Sequence, residues 1–388
     1  MTVTVEPVRN GRDLERFVAF PYTLHRRDPQ WVPPLRMDVR TILSPRKNPF
    51  FQHASAEYFL ARRGGDIVGR IAAIKNDSHN TLHKDRVGFY GFYESVDDQG
   101  VATALFDRVA AWLRERDLDT MRGPMNPSIN DECGLLVQGF EKPPVVLMPH
   151  NPAFYVPLHE RYGFRKAKDL IAFWGGGEQP MQPPERFIRA STVLADRLGV
   201  TLRPLNMKRF HEEVELVKSL FNEAWEQNWG YVPMTDAELE HLAKQLKPII
   251  IADLVVFAEI KGRVVGFGVC IPDFNVALKH NPSGRLFPGL LKILWYSRKI
   301  DRARIPLLGV IEEYRGKGID ALLYHWIWTH ATARGMPQGE AGWILEDNAA
   351  MVNGLMRLGF RPYKTYRDRK STRLNSSHIP LSRMPSSA

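Results

Sequence analysis

The chain repeats itself, and the repeat limits what it can fold into. Trp31-Val32-Pro33-Pro34 returns as Trp229-Gly230-Tyr231-Val232-Pro233. Residues 59–69, an apolar run, a glycine turn and a second apolar run, return as residues 257–266, the pattern of paired strands. A strand then feeds a helix twice, 89–95 into 101–116 and 306–312 into 319–334, with apolar residues at helical spacing in both helices. Gly163-Phe164-Arg165 with Lys168 returns as Gly359-Phe360-Arg361 with Lys364. Strands and helices in this order predict an α/β (α+β) fold of two tandem domains, each a mixed, largely antiparallel sheet flanked by helices.

The Gly/Pro-rich run 175–184 predicts the linker, so the halves are expected at 1–174 and 185–367. The spacing shows where each half is elaborated. From hairpin glycine to loop glycine is 31 residues in the first half (Gly69 to Gly100) and 52 in the second (Gly266 to Gly318). From loop glycine to the Gly-Phe pair is 63 residues in the first and 41 in the second. The insertions fall around 273–304 and 123–151. Residues 368–388 are expected to lie outside the fold. Residues 368–378 and 382–388 back-translate into the two parts of a common sequencing adapter, with 379–381 at the index position. Without that tail's four basic and one acidic residues the formal charge drops from +10 to +7.

The chemistry concentrates after the second repeated strand. Arg315-Gly316-Lys317-Gly318 lies between an apolar strand and an amphipathic helix. Backbone N–H groups at Gly316, Lys317 and Gly318 would point into the helix mouth, where unpaired donors and the dipole favour an anion. The first half has Asp97-Asp98-Gln99-Gly100 at the matching place. Two carboxylates oppose a phosphate there, so the second half is expected to bind the anion and the first to be structural or substrate-binding.

This loop resembles the pyrophosphate loop of the GCN5-related N-acetyltransferase (GNAT) superfamily, Arg/Gln-x-x-Gly-x-Gly/Ala. Arg315 and Gly318 match; Asp320 stands where the family has Gly or Ala. With the repeat, the chain resembles the tandem form. Residues 123–134, the two Gly-Phe-Arg elements and the second-half loop resemble the bacterial ceramide synthase-like family. The resemblance implies acyl-CoA or acetyl-CoA as cosubstrate, contacted by Val310, Arg315, Gly316, Lys317, Gly318, Ile319 and Asn348. It implies direct acyl transfer to an amine, with Glu312 or Glu313 as base; strand alternation would let only one of them face the cleft. Asn348 reads equally as a helix cap. The family's tyrosine acid is replaced by Leu355, leaving water, Tyr155 or Tyr314 to protonate the thiolate. The ceramide synthase-like resemblance implies a fatty acyl chain and a long-chain sphingoid base. The alternatives are acetyl transfer to a small polar amine, or an acyl-CoA-binding protein without catalysis.

Asn126, Asn130 and Glu132 in the first-half insertion, and Trp295 in the second, are expected to contact substrate. Residues 285–300 mix aliphatic, aromatic and cationic side chains, which suits peripheral contact with an anionic membrane or the lip of an acyl channel. The small-molecule or lipid amine is the expected partner, and no basic stripe with stacking aromatics points to nucleic acid. Cys133 reads as a buried thiol, and the twelve histidines show no metal-ligand spacing, so no metal is expected. Two cysteines imply no disulfide framework, no apolar run is long enough to cross a bilayer, and no signal-type segment follows Met1. The expected place is therefore the cytoplasm, peripheral to the inner face of the membrane if 285–300 binds lipid.

Overall fold

The computed structural model describes residues 2–177, 185–225, 228–372 and 374. The first half runs β1 (Val3–Pro7), α1 (Gly11–Leu24), α2 (Arg36–Ile42), β2 (Ala54–Arg63), β3 (Asp66–Asn76), α3 (Asp77–His83), β4 (Val87–Ser95), α4 (Gln99–Arg114) and β5 (Thr120–Gly123). It continues with β6 (Met125–Asn126), β7 (Glu132–Cys133), β8 (Leu135–Gln138), α5 (Tyr155–Tyr162) and β9 (Arg165–Gly175). The second half runs α6 (Glu185–Leu198), β10 (Val200–Pro204), α7 (Phe210–Trp225), α8 (Asp236–Leu246), β11 (Val255–Ile260) and β12 (Arg263–Pro272). It ends with α9 (Asn275–Leu278), α10 (Leu286–Ser297), β13 (Arg302–Val310), α11 (Ile319–Ala333), β14 (Gln338–Leu345), α12 (Ala349–Arg357) and β15 (Arg361–Ser371).

The repeat seen in the sequence is a repeat in space. The hairpins β2–β3 and β11–β12 both turn on two residues of positive φ, Gly64-Gly65 and Lys261-Gly262, as the twist of paired strands demands. Gly69 pairs with Ser95 as Gly266 pairs with Val310, so the central strands β4 and β13 correspond residue for residue. Both then run parallel to the next strand for only a few residues, β4 to β5 over Val87–Phe89 and β13 to β14 over Arg302–Ile305. Beyond those points the strands part.

The halves exchange their last strands. Among the described residues, thirteen strands form one sheet in the order β1-β2-β3-β4-β5-β15-β9-β14-β13-β12-β11-β10, with β8 also on β15. Thus β15, from the second half, lies between β5 and β9 of the first. In turn β9 lies between β15 and β14 of the second, with Gly175 opposite Gly339 and Leu170 opposite Leu345. The division at residue 174 therefore follows the chain but not the sheet, because the backbone pairing of β9 belongs to the other half. Of the linker expectation, 175–177 end β9 and its turn, and 178–184 lie outside the described residues.

The expected tail boundary is corrected in one respect. Residues 368–371 are the last four of β15; Asp368 is buried on Arg122 at 2.6 Å, and Arg369 bonds Glu160 at 3.0 Å. Strand pairing is made by backbone groups, so the strand continues through these residues whatever their origin. Residues 373 and 375–388 lie outside the described residues.

Buried polar groups fix the exchanged order. Arg304 of β13 pairs with Glu340 of β14 at 3.2 Å and donates to the carbonyls of Val146 at 2.6 Å and Gly342 at 3.0 Å. Both side chains are almost fully buried, and Tyr363 of β15 donates to the same carboxylate. Lys364 donates to the carbonyls of Gly139 at 2.6 Å and Lys142 at 2.7 Å; burial pushes its pKa down to about 8. The bonds from Arg304 to Val146 and from Lys364 to Gly139 and Lys142 join the two halves, and a buried charge that lost such partners would cost several kcal/mol. The repeated Trp segments close the seam. Trp229 lies under the Arg122 guanidinium at 3.9 Å, and Asn130 bonds the carbonyl of Val232 at 3.0 Å. On the other side Arg36 N–H bonds the carbonyl of Gly284 at 2.8 Å.

Two outcomes follow from this seam. Residues 1–177 and 185–388 produced separately should each fail to give a stable monomer, and co-production should recover a complex, read by size exclusion and thermal melting. Two independently stable halves would contradict the exchange. The second concerns His53 and Glu238, 3.2 Å apart across the seam. The carboxylate raises the His53 pKa above its ordinary 6.5 against burial. Burial would raise Glu238, but bonds from His53 and Thr235 bring it below 4.5. The histidine's contribution is complete below 6.5 and is lost as pH rises through its folded value. The carboxylate's is complete above 4.5 and is lost as pH falls through its folded value. His53→Gln should therefore cost about 1 kcal/mol near pH 5.5 and clearly less near pH 8.5, read from denaturant titrations.

Candidate functional site

The two repeated helices begin differently, and the difference decides which can take an anion. At α4, Asp98 is the N-cap: its carboxylate accepts from Val101 N–H at 3.1 Å and pairs with Arg63 at 2.8 Å. The Arg63 bond first, then the backbone N–H groups, hold its pKa below the usual range. That helix mouth already contains its anion. At α11 the N-cap is Gly318, in the left-handed region (φ +74°), and no side chain bonds its N–H groups, although Leu194 of α6 packs against Gly318. Gly316 (φ +71°) faces open space. Asp320 sits in the first turn without capping it. Val310 and Ile319, on either side of the loop, are buried and anchor it.

The basic residues of the loop take separate places. Arg315 donates Nε to the carbonyl of Val310 at 3.1 Å and Nη2 to that of Ala224 on α7 at 2.8 Å. It braces the loop against strand and helix. Lys317 is exposed over the Tyr314 ring, 4.7 Å from its centroid, and free to meet a phosphate. Asn348 is the N-cap of α12 and accepts from Met351 N–H at 3.1 Å, so its side chain does the work of a cap. Glu312 and Glu313 lie in a 3-10 turn after β13, both exposed, and Glu313 pairs with Arg263 at 3.0 Å. The expectation that strand alternation separates them is corrected: neither is in the strand.

The two sheet openings also differ. In the first half, β6 enters the space where β4 leaves β5: a Cβ on Gly91 would sit 1.7 Å from the carbonyl oxygen of Met125, and Asn126 Oδ1 takes the Phe92 N–H at 2.6 Å. In the second half, beyond the last pair at Ile305 and Ala341, Pro306 and Leu307 of β13 and Trp343 and Ile344 of β14 remain partly exposed. An apolar opening beside an uncapped helix N-terminus suits an acyl thioester carrying a pyrophosphate.

A carboxylate cluster in the first half was not expected. Glu94 of β4 accepts from Tyr155 Oη at 2.7 Å and meets His25 Nε2 at 2.7 Å, with Arg70 at 3.7 Å. Tyr155 Oη in turn accepts from Ser95 N–H at 2.9 Å. His25, Arg70 and Tyr155 are buried and Glu94 is nearly so. Burial pushes the Glu94 pKa up, but His25 and Arg70 outweigh it and the carboxyl titrates below its usual range. The matching second-half residue is Gly309, covered by Trp225. The one sequence signal was a charged residue in the apolar strand 89–95. Tyr155, expected as a possible proton donor, reaches this carboxylate; Tyr314 lies under Lys317.

The four expected substrate residues do not converge. Asn126 and Glu132 face one another across β6–β7, where burial raises the Glu132 pKa. Asn130 ties the halves together, and Trp295 is 60% exposed on α10. Cys133 is buried, and burial pushes its thiol pKa up. Among the described residues no group of three His, Cys, Asp or Glu could hold a metal, and no helix is long and apolar enough to cross a membrane.

A two-fold open sheet with paired central strands that part, each followed by a helix N-terminus, defines a tandem acyltransferase fold. The model of the acetyltransferase (GNAT) family matches residues 21–126, and the chain belongs to that family. It is an N-acyltransferase, and the fold implies an acyl- or acetyl-CoA cosubstrate. The matched stretch lies in the first half, the half with the self-capped helix. The chain is 39% identical over 375 residues to a protein of Caulobacter vibrioides named bacterial ceramide synthase, covering 94% of this chain and 96% of that one. It is 38% identical over 372 residues to protein YghO of Escherichia coli, covering 92% of each. Among solved structures it resembles a tandem GNAT protein from the clavulanic acid biosynthesis pathway, with a TM-score of 0.55 at 14% identity over 95% of this chain and 98% of that one. A GCN5-related N-acetyltransferase from Sphaerobacter thermophilus gives 0.53 at 14% identity, over 95% of each chain.

The loop makes a separable prediction. Lys317→Glu should weaken coenzyme A binding about tenfold or more in calorimetry without lowering the melting temperature, since the side chain braces nothing. Arg315→Met should lower both, the stability by about 1 kcal/mol, because it removes two bonds that tie the loop to the carbonyls of Val310 and Ala224. Unchanged affinity in both would remove this loop from the site.

Proposed function

We propose that this chain transfers a fatty acyl group from acyl-CoA to the amine of a long-chain base, with the second half holding the acyl-CoA. The observation that carries the reading is the uncapped N-terminus of α11 beside the apolar opening between β13 and β14. The backbone N–H groups from Gly316 to Ile319, with Lys317, hold the pyrophosphate, while Arg315 keeps the loop in shape. The acyl chain lies along the opening. The amine attacks the thioester carbonyl, the C–N bond forms, the C–S bond breaks and the thiolate takes up a proton. Glu312, which makes no ion pair among the described residues, removes the ammonium proton through water, and Glu313 stays on Arg263. The name of the Caulobacter relative supports a sphingoid-type acceptor.

A second reading makes the first half the reacting one, with Glu94 as base and Tyr155 as acid. It is favoured by the buried Glu94–His25–Tyr155 cluster and by the place of the family match. Gln variants decide between them. On the first reading Glu312→Gln loses roughly 10²–10⁴ in rate with coenzyme A affinity kept, and Glu94→Gln is far milder; on the second the order reverses. A chain-length series decides the substrate. Each methylene buried contributes about 0.8 kcal/mol, or roughly fourfold, so long-chain acyl-CoA with a sphinganine-type base should exceed acetyl-CoA with a polyamine by orders of magnitude in kcat/KM. Preference for acetyl-CoA would refute the lipid reading. Binding of acyl-CoA without thiol release for any amine would identify a non-catalytic binding protein.

A further inference from the structure

Among the described residues, helix α10 and the residue before its regular turns are where large apolar side chains are presented to solvent together. Phe287, Leu291, Leu294 and Trp295 are 72%, 78%, 54% and 60% exposed. Leu291, Leu294 and Trp295, at spacings of three and one, lie on one face of the helix while Gly289 and Ile293 face the protein, and Phe287 stands just before the regular helix, at a kink where the backbone is extended. A soluble surface does not normally gather apolar residues of this size. The charge around them is of one sign. Residues 274–300 contain Lys279, Arg285, Lys292, Arg298 and Lys299 and no Asp or Glu. Burial, and then the charges of Lys279, Lys299 and Lys292, disfavour protonation of His280. Lys299 also lies over the Trp295 and Tyr296 rings, at 5.9 Å and 5.1 Å from their centroids.

We propose that α10 docks this enzyme on an anionic phospholipid surface. The helix lies in the interface, Leu291, Leu294 and Trp295 enter the acyl boundary with Phe287 beside them, and the cations meet lipid phosphates. The alternative occupant is a second copy of the chain. It is disfavoured because two copies meeting through this face would bring like charges together with no acid on the segment to offset them. The insertion that carries α10 is rigidly held: Gly284 packs on Tyr22 and its carbonyl takes the Arg36 N–H. Tyr22 contacts Trp31, and Trp31 contacts His25 beside Glu94. The lipid-facing helix and the carboxylate cluster therefore stand at two ends of one run of packed aromatics.

The test needs no substrate. The full chain is floated with phosphatidylcholine vesicles, with and without phosphatidylglycerol. Binding should require the anionic lipid and fall with salt. Lys292→Glu/Arg298→Glu/Lys299→Glu should lose at least about tenfold in partitioning, and Leu291→Ser/Leu294→Ser/Trp295→Ser should abolish it. All six positions are exposed, so unchanged thermal melts should accompany both variants. Failure of the wild type to float overturns the proposal. So does an apolar triple variant that still floats, or one whose only effect is to turn a dimer into a monomer in sedimentation. None of these results bears on whether the enzyme acylates amines.

Discussion

Everything in this molecule depends on the crossing of β9 and β15. Each half builds a sheet that stops one strand short, leaving β5 and β14 with unpaired backbone groups at what would be the middle of the protein. Unpaired backbone polar groups cannot be buried cheaply. The exchange satisfies both edges and makes a single sheet from two repeats. The price is that four strands from distant parts of the chain must meet, so the centre is built from long-range contacts. Arg304, Glu340, Tyr363 and Lys364 make that meeting specific. A buried charge tolerates one set of neighbours, whereas an apolar seam would tolerate several.

On this frame the two repeats have diverged in complementary ways. Where the second half leaves the helix N-terminus at Gly318 without a side-chain cap, the first caps it with Asp98. Where the first half has Glu94 in its central strand, the second has Gly309 under Trp225. The opening between parted strands is filled by Met125 and Asn126 in the first half and lined by half-exposed apolar residues in the second. In the first half that space holds a polar segment joined to the seam. A duplicated fold allows this because each opening is free to change once the other suffices.

The polar clusters were the least legible part. His25 and Glu94 are 69 residues apart, and neither lies in a motif. Nothing in a linear reading brings them together with Tyr155 and Arg70. The substrate residues Asn126, Asn130 and Glu132 were legible as a polar segment, but the same groups that suit a pocket also suit hydrogen bonds to neighbouring backbone. Here Asn126 and Asn130 make such bonds. The Glu312–Glu313 pair reads as strand end, but β13 ends at Val310 and both glutamates lie in the turn that follows.

The sequence by itself determined the repeat, the hairpins, the order of strands and helices, and the contrast between Gly318 and Asp98. Those are local matters of hydrophobic period, turn glycines and caps, and each is written within a dozen residues. Only the tertiary structure decided which strand lies beside which. Backbone hydrogen bonds carry no side-chain signature, so the exchange of β9 and β15 leaves no mark on the residues that make it. It also decided which face of α10 stays in water, because amphipathic spacing marks an apolar face without saying whether protein or lipid will cover it.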